Sequence, residues 1–346
     1  MSYPNAGRTS TNGYTVYADL RWPVQTGIGN VMTACLQRAP QNARVETLGA
    51  AGRIGSPFSP MRISAALARK DRDGVFWSPG FVPPAWGRRP SVVTVHDLTH
   101  LHFYSKLHRA YYDLLFRNMY RRCSAIICCS DYTRRELLAW SGIDPTRVHL
   151  VWHGVEPVYA RNDETLGIDY PYVLYPGNRR GYKNLDRLLT AYAQSVLPRQ
   201  GVCLLLTGSP DANLEALAQK LGVGSLVRFS GYVADEQMPK LYRGALFVAF
   251  ISLYEGFGLP IVEAMASRVP VLTSNLSAMP EVAGKAALIV DPLSVSEIQK
   301  GMDRLAESST FRRELIEAGI ERATLFSWDQ AAAAHWRLVE DVCQAA

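Results

Sequence analysis

An alternation of short apolar runs and helical stretches constrains this 346-residue chain more than any other feature. The runs are 90–98 (PSVVTVHDL), 123–130 (CSAIICCS), 148–154, 172–177, 202–208, 227–233, 245–252 (ALFVAFIS), 269–274 and 286–292. Between them lie helix candidates at 132–140, 184–196, 211–221, 235–243 and 260–267. Such repetition predicts parallel sheets with crossover helices, an α/β chain of doubly wound type. A chain this long exceeds what one core serves, so two domains are expected. The polar, proline-bearing stretch 156–172 is the natural linker. The resulting division is 1–162, 163–325 and a closing helical segment 326–346.

Several classes fall away. No run of 18 apolar residues is present, so no membrane span is expected. The opening MSYPNAGRTSTNG lacks the apolar middle of a signal peptide. The six cysteines lie mostly in apolar segments without metal-site spacing, and they read as reduced core residues of a cytoplasmic protein. No G-x-G-x-x-G fingerprint marks a dinucleotide site. KDRDG at 70–74 contains a D-x-D, but it precedes an apolar strand (GVFWSPG) and sits among cations, so it reads as a solvated turn. No metal and no cofactor are expected.

Charge is lopsided. Residues 1–150 carry 19 Lys/Arg against 9 Asp/Glu, whereas the remainder carries 18 against 22. A basic first half fits a polyanionic partner, either a phosphorylated substrate or an anionic lipid surface. No recognition module for nucleic acid is visible. Segment 102–122 mixes Phe103, Tyr104, Tyr111, Tyr112, Leu114, Leu115 and Phe116 with Lys106, Arg109, Arg117, Arg121 and Arg122. Such a helix can lie on an anionic bilayer or cradle a lipid diphosphate; equally, it can pack one side on its sheet.

The stretch YEGFGLPIVEA places Glu255 in a glycine turn and Glu263 on the helix that follows, with Pro260 suited to that helix's first turn. At 100° per residue Ile261, Ala264 and Met265 share one face and Glu263 the other, which predicts a solvent-side Glu263. Acids near a helix start favour its dipole, a plain structural role. The stretch also resembles the E-x7-E segment of family-4 retaining glycosyltransferases, which have the two-domain GT-B fold. YPGNRRGYKNLDRLLTAY (175–192), SNLSAMPEVAGKAALIVDP (274–292), TGIGN (26–30), VTVHDL (93–98) and AIICCSDYTRRELL (125–138) resemble that family's other segments in the same order.

This resemblance implies two Rossmann-like domains facing across a cleft, the first for acceptor and the second for a nucleotide-sugar, with the last helix crossing back. It implies that Arg179 and Lys183 clamp the donor diphosphate. Tyr182 stands where the family usually has arginine, so either Arg179 or Arg180 could make the contact. Glu263 would accept from the ribose hydroxyls and Glu255 would face the transferred sugar. Backbone N–H groups of Gly256, Phe257 and Gly258 would lie near its hydroxyls and the phosphate. His96 would contact the donor sugar, Gly27 and Gly29 would admit the diphosphate closely, and Gly231, Tyr232 and Val233 would lie near the base. Within the family the chain is most similar to bacterial mannosyltransferases that use GDP-mannose for surface polysaccharides. A lipid-linked or oligosaccharide acceptor, peripheral contact with the inner face of the membrane and metal-independent front-face retention are the corresponding expectations. A UDP-sugar donor, a phosphorylase or epimerase on the same architecture, and a non-catalytic sugar-nucleotide-binding protein are the competing readings.

Overall fold

Runs such as Ser91–Val95 and Ala125–Cys128 are rich in branched residues, which suits strands buried on both faces. The computed structural model describes residues 13–24 and 26–345. The opening segment, read above as lacking a signal peptide, falls outside them up to residue 12. Among the described residues twelve strands form two wholly parallel six-stranded sheets. The first holds β1 (Tyr14–Ala18), β2 (Ala43–Thr47), β3 (Val75–Ser78), β4 (Ser91–Val95), β5 (Ala125–Cys128) and β6 (Val148–Leu150), in the order β2-β1-β3-β4-β5-β6. The second holds β7 (Tyr172–Tyr175), β8 (Cys203–Leu206), β9 (Val227–Phe229), β10 (Phe247–Phe250), β11 (Val271–Ser274) and β12 (Leu288–Val290), ordered β12-β11-β10-β7-β8-β9. Registers are regular, as in Val92 opposite Ala125 and Val248 opposite Leu174. This is the two-sheet α/β architecture that the alternation predicts.

In the second sheet the winding reverses between β7 and β10, which lie side by side although β8 and β9 intervene in sequence. In open α/β sheets ligands bind outside the carboxyl ends of strands at such a switch point. The loops leaving β7 and β10 therefore emerge together, and the Leu253 N–H donates to the Tyr182 carbonyl at 2.8 Å. Asn184, in a left-handed conformation, ties down the first of these loops by donating to the carbonyls of Ile251 and Pro292.

The chain crosses between the domains twice, side by side. Val155 bridges Ser327 in parallel, and the Gly154 backbone packs so closely on Trp328 that a Cβ would sit 2.1 Å from the Trp328 nitrogen. The helix Trp328–Gln344 then lies on the first sheet rather than the second. Its Trp336 is buried against Trp77, at 5.0 Å between rings, and donates through Nε1 to the Cys35 carbonyl. Among the described residues no helix is long and apolar enough to cross a membrane.

Candidate active site between the two domains

The switch point brings Lys183 and Glu255 together. Lys183 follows β7, Glu255 follows β10, and Nζ stands 2.6 Å from Oε1. Lys183 is buried, its ammonium about 5 Å from the rings of Tyr182 and Phe250. An ion pair shielded this far from water is strongly directional, and each partner orients the other. The Glu255 N–H donates to the Ser277 hydroxyl at 2.9 Å, which fixes the acid from its backbone side. Gly258, at φ 103°, turns the chain into the helix Leu259–Ala266. The N–H groups of Phe257 and Gly258 have no hydrogen-bond partner among the described residues. Unpaired N–H groups at a helix start are ready donors to an anion.

The first domain closes over this turn. A Cβ on Gly256 would lie 1.7 Å from the His96 carbonyl oxygen. The Gly256 carbonyl accepts from Ser130 Oγ at 2.6 Å and Thr133 Oγ1 at 3.2 Å. Tyr254 Oη accepts from the Leu98 N–H and donates to Glu136 Oε2. Glu281 caps the helix Asp131–Ser141 from across the cleft, accepting from the N–H groups of Asp131 and Tyr132 at 2.9 and 3.1 Å and from Trp152 Nε1 at 2.9 Å. A carboxylate there matches the helix dipole. Glu281, Tyr254 and Ser130 were not singled out from sequence. All three lie inside the matched segments, but nothing in a linear pattern says that a segment's partner belongs to the other domain.

Other expected residues are placed differently. Glu263 does not point to solvent. It is half-buried, accepts from Tyr242 Oη at 2.6 Å, and burial pushes its carboxyl up to about 7, partly offset by the Tyr242 bond. The helix wheel failed because this helix is covered on more than one side, by Met238–Arg243 and by Ser309–Ala323. Arg179 is folded back onto the β8 loop, donating to the carbonyls of Ser209 and Thr207, with its guanidinium over Phe229. Arg180 instead reaches across the cleft to the Tyr104 hydroxyl at 3.5 Å.

His96 has both ring nitrogens engaged, Nε2 with the Pro79 carbonyl at 2.7 Å and Nδ1 with His153 Nε2 at 3.1 Å. Burial holds both imidazoles below the usual histidine range, which keeps them neutral. Its ring is therefore not free toward a sugar as the resemblance implied. Spacing along the chain offers the cysteines no metal pattern, yet folding gathers Cys129, His96 and His153 with ligand-type atoms within 4.8 Å of one another. Here they form a hydrogen-bonded group, with Cys129 Sγ donating to the His96 carbonyl and its thiol kept protonated by burial.

TGIGN is the first turn of the helix Gly27–Gln37, capped by Thr26, rather than a free loop. Gly29 is needed against the Pro23 carbonyl, where a Cβ would stand 2.0 Å away, whereas Gly27 faces open space. Tyr232 is 85% exposed beside the half-buried Val233. Gly231 exchanges backbone bonds with Gly208 and so has no N–H to spare for a base.

Comparison with known proteins agrees with this architecture. The family described as glycosyl transferases group 1 matches residues 160–322, and glycosyltransferase family 4 matches 33–159. The O-antigen chain mannosyltransferase B of Escherichia coli is 31% identical over 288 residues, 78% of this chain and 74% of the relative. The MMP alpha-(1->4)-mannosyltransferase of Mycolicibacterium hassiacum is 31% identical over 218 residues, covering 62% of this chain but only 53% of that relative. Sucrose-phosphate synthase from Thermosynechococcus elongatus superposes with TM-score 0.78 at 19% identity over 97% of this chain and 100% of that one. Anabaena HepE in complex with UDP and glucose superposes at 0.71 with 17% identity, over 97% and 100%. Its domain order, its two parallel sheets and these matches make the chain a family-4 glycosyltransferase with the GT-B fold.

Proposed function

We propose that this enzyme moves mannose from GDP-mannose to a lipid-linked or oligosaccharide acceptor of bacterial surface polysaccharide synthesis, with retention and without a metal. The observation that carries the reading is the Lys183–Glu255 pair at the switch point, beneath a closed first domain. The mannosyl donor rests on the relatives, whose names are those of mannosyltransferases. In the proposed step the bond from C1 to the diphosphate oxygen breaks while the acceptor oxygen bonds C1 on the same face. The acceptor proton passes to the leaving phosphate, so no protein base is required. Lys183, Arg180 and the N–H groups of Phe257 and Gly258 would stabilise the departing diphosphate. Glu255 would orient the sugar and favour the developing positive charge at C1.

The decisive experiment measures nucleoside diphosphate released from a panel of GDP- and UDP-sugars, with and without EDTA and a membrane lipid extract. Turnover of GDP-mannose alone, indifferent to EDTA and raised by lipid, is the expected result. Preference for a UDP-sugar overturns the mannosyl reading, and release from no donor favours a binding protein. Peripheral membrane contact draws support from Leu107 and Leu114, 80% and 69% exposed beside Lys106, Arg109 and Arg117. Co-sedimentation with vesicles that does not respond to anionic lipid would count against it.

Glu263 adds a pH signature. As a ribose acceptor it must be ionised, and its carboxyl titrates near 7. Donor KM is therefore expected to fall as pH rises from 6 to 8, and Glu263→Gln to remove that inflection. Stability runs the other way. The folded state holds this proton more tightly than the unfolded chain, so the contribution is full below the ordinary carboxylate range and is lost as pH rises through about 7. Tyr242→Phe removes the bond that favours the anion and should move the inflection upward. A pH-independent donor KM in the unmodified enzyme would refute the assignment.

A further inference from the structure

The first domain carries an apolar cavity of about 560 Å³ at the carboxyl ends of its strands. Its walls come from the loop after β2 (Ile54–Ser59), from Phe81 and Val82 after β3, and from Leu107–Phe116 after β4. Aromatic rings make up much of the lining, with Tyr112 against Phe116 at 4.3 Å and Phe81 beyond at 6.4 Å. The last wall is not a regular helix. Lys106–Tyr111 runs into a π-helical turn at Tyr112–Phe116, an irregularity frequent at functional sites. Leu107 and Leu114, the most exposed leucines of the described residues, also line it. An open apolar surface of this kind marks a ligand or membrane contact rather than a resting exterior.

Arginines stand behind one wall. Arg21 donates to Ser59 Oγ at 2.9 Å, on the cavity wall, and to the Gly52 carbonyl at 3.3 Å. Arg62 crowds the same glycine, since a Cβ on Gly52 would lie 2.0 Å from its Nη1. Arg53 follows Gly52 directly and is exposed. Two guanidinium groups thus meet at Gly52, and Arg53 is the next residue of the same loop. Asp19 balances Arg21, while Arg53 and Arg62 have no acid partner among the described residues. An apolar slot with an under-neutralised arginine cluster at one side is complementary to a single-chain amphiphile with a phosphate head.

We propose that this cavity binds the hydrocarbon chain of a long-chain lipid diphosphate, with the phosphates on Arg53 and Arg62 and with Arg21 fixing the wall between. The proposal rests on the lipid-linked acceptor reading and names the part of the acceptor that the first domain holds. The same β4–β5 connection serves both sides, because Phe103 lies against Tyr182 and Tyr254 at the cleft while residues 107–116 line the slot. Occupation of the slot would thereby bring the head group and its saccharide to the acceptor side of the cleft.

The test is calorimetric titration of the full chain with farnesyl diphosphate, farnesol and inorganic pyrophosphate. Farnesyl diphosphate is expected to bind about tenfold or more tightly than either fragment, since each lacks one half of the recognition. Ala110 lines the slot and is exposed, so Ala110→Trp fills it without disturbing the core. That variant and Arg62→Ala should each weaken farnesyl diphosphate about tenfold. Unchanged affinity in Ala110→Trp, or pyrophosphate binding as tightly as farnesyl diphosphate, overturns the proposal. So does binding to phosphatidylglycerol vesicles with none to the monomeric lipid, which would make this face a bilayer contact only. The two readings separate cleanly. Binding as expected with turnover indifferent to lipid keeps the slot and removes the lipid-linked acceptor. Lipid-stimulated turnover that survives Ala110→Trp does the reverse.

Discussion

Replacing Glu255 with glutamine is expected to lower kcat by about 10²–10³-fold while moving the donor KM by no more than about threefold. The amide keeps the shape of the carboxylate and can still accept from Lys183 Nζ, now 2.6 Å from Oε1. It loses the charge. That charge does two things in the proposed step: it holds the ammonium beside the phosphates, and it favours the positive charge that grows at C1 as the leaving group departs. Both matter more in the transition state than in the donor complex, so kcat should bear the loss. Lys183→Met removes the other partner and leaves Glu255 uncompensated in a mostly dry pocket, which adds a folding cost to the catalytic one. A double-mutant cycle should therefore be strongly non-additive, the double variant being little worse than the worse single one. A purely raised KM in Glu255→Gln, with kcat intact, would remove the acid from the chemistry.

Gly256→Ala should be nearly as severe for a different reason. The φ of Gly256 is not in the left-handed region, so alanine suits its backbone, and the second domain should fold normally. The obstacle is across the cleft. The added methyl would meet the His96 carbonyl oxygen at 1.7 Å and Asp97 Cβ at 2.8 Å. Backbone cannot yield by that much, so the first domain must stand off. Ser130 and Thr133 would then lose the Gly256 carbonyl, and Tyr254 the Leu98 N–H. Activity is expected to fall about 100-fold or more, as a displacement of an ångström at reacting groups commonly costs. On the proposed reading the second domain holds the donor, so donor affinity should change little. Small-angle scattering should report a larger radius of gyration than for the unmodified enzyme. Full activity with an unchanged radius would mean that the closed contact has no part in turnover.

Much of the fold was legible because most strands are buried on both faces and their sequences say so. β10 and β4 are nearly continuous apolar runs. The strands passed over, β1 (YTVYA) and β2 (ARVET), are mixed, and β2 lies at the sheet edge with no fully buried residue. At the site the residue types were legible but their partners were not. Lys183 and Glu255 stand 72 positions apart, and only the order β10-β7 makes them neighbours. Glu263 illustrates the opposite failure. A helical wheel assumes one packed face, and Tyr242 on a neighbouring helix gave the acid a partner that the wheel could not anticipate. Arg179 and His96 matched their motifs in position, yet nearby carbonyls at Thr207 and Pro79 claim their nitrogens.

The return of the Trp328–Gln344 helix to the first sheet also sets a timetable for synthesis. Trp336 and the Cys35 carbonyl it bonds are separated by 301 positions. On the ribosome the first six strands emerge early, but the face bearing Trp77, Val92 and Ile127 is covered only in part, by the helix Gly27–Gln37, until that last helix arrives. At elongation rates of about 5–20 residues per second the intervening second domain takes roughly ten to thirty seconds to make. Throughout that interval the part of the face that Trp328, Ala332 and Trp336 will cover stays open. Part of the first domain's packing thus waits on the last helix, whereas the second sheet is complete in sequence before that helix is made.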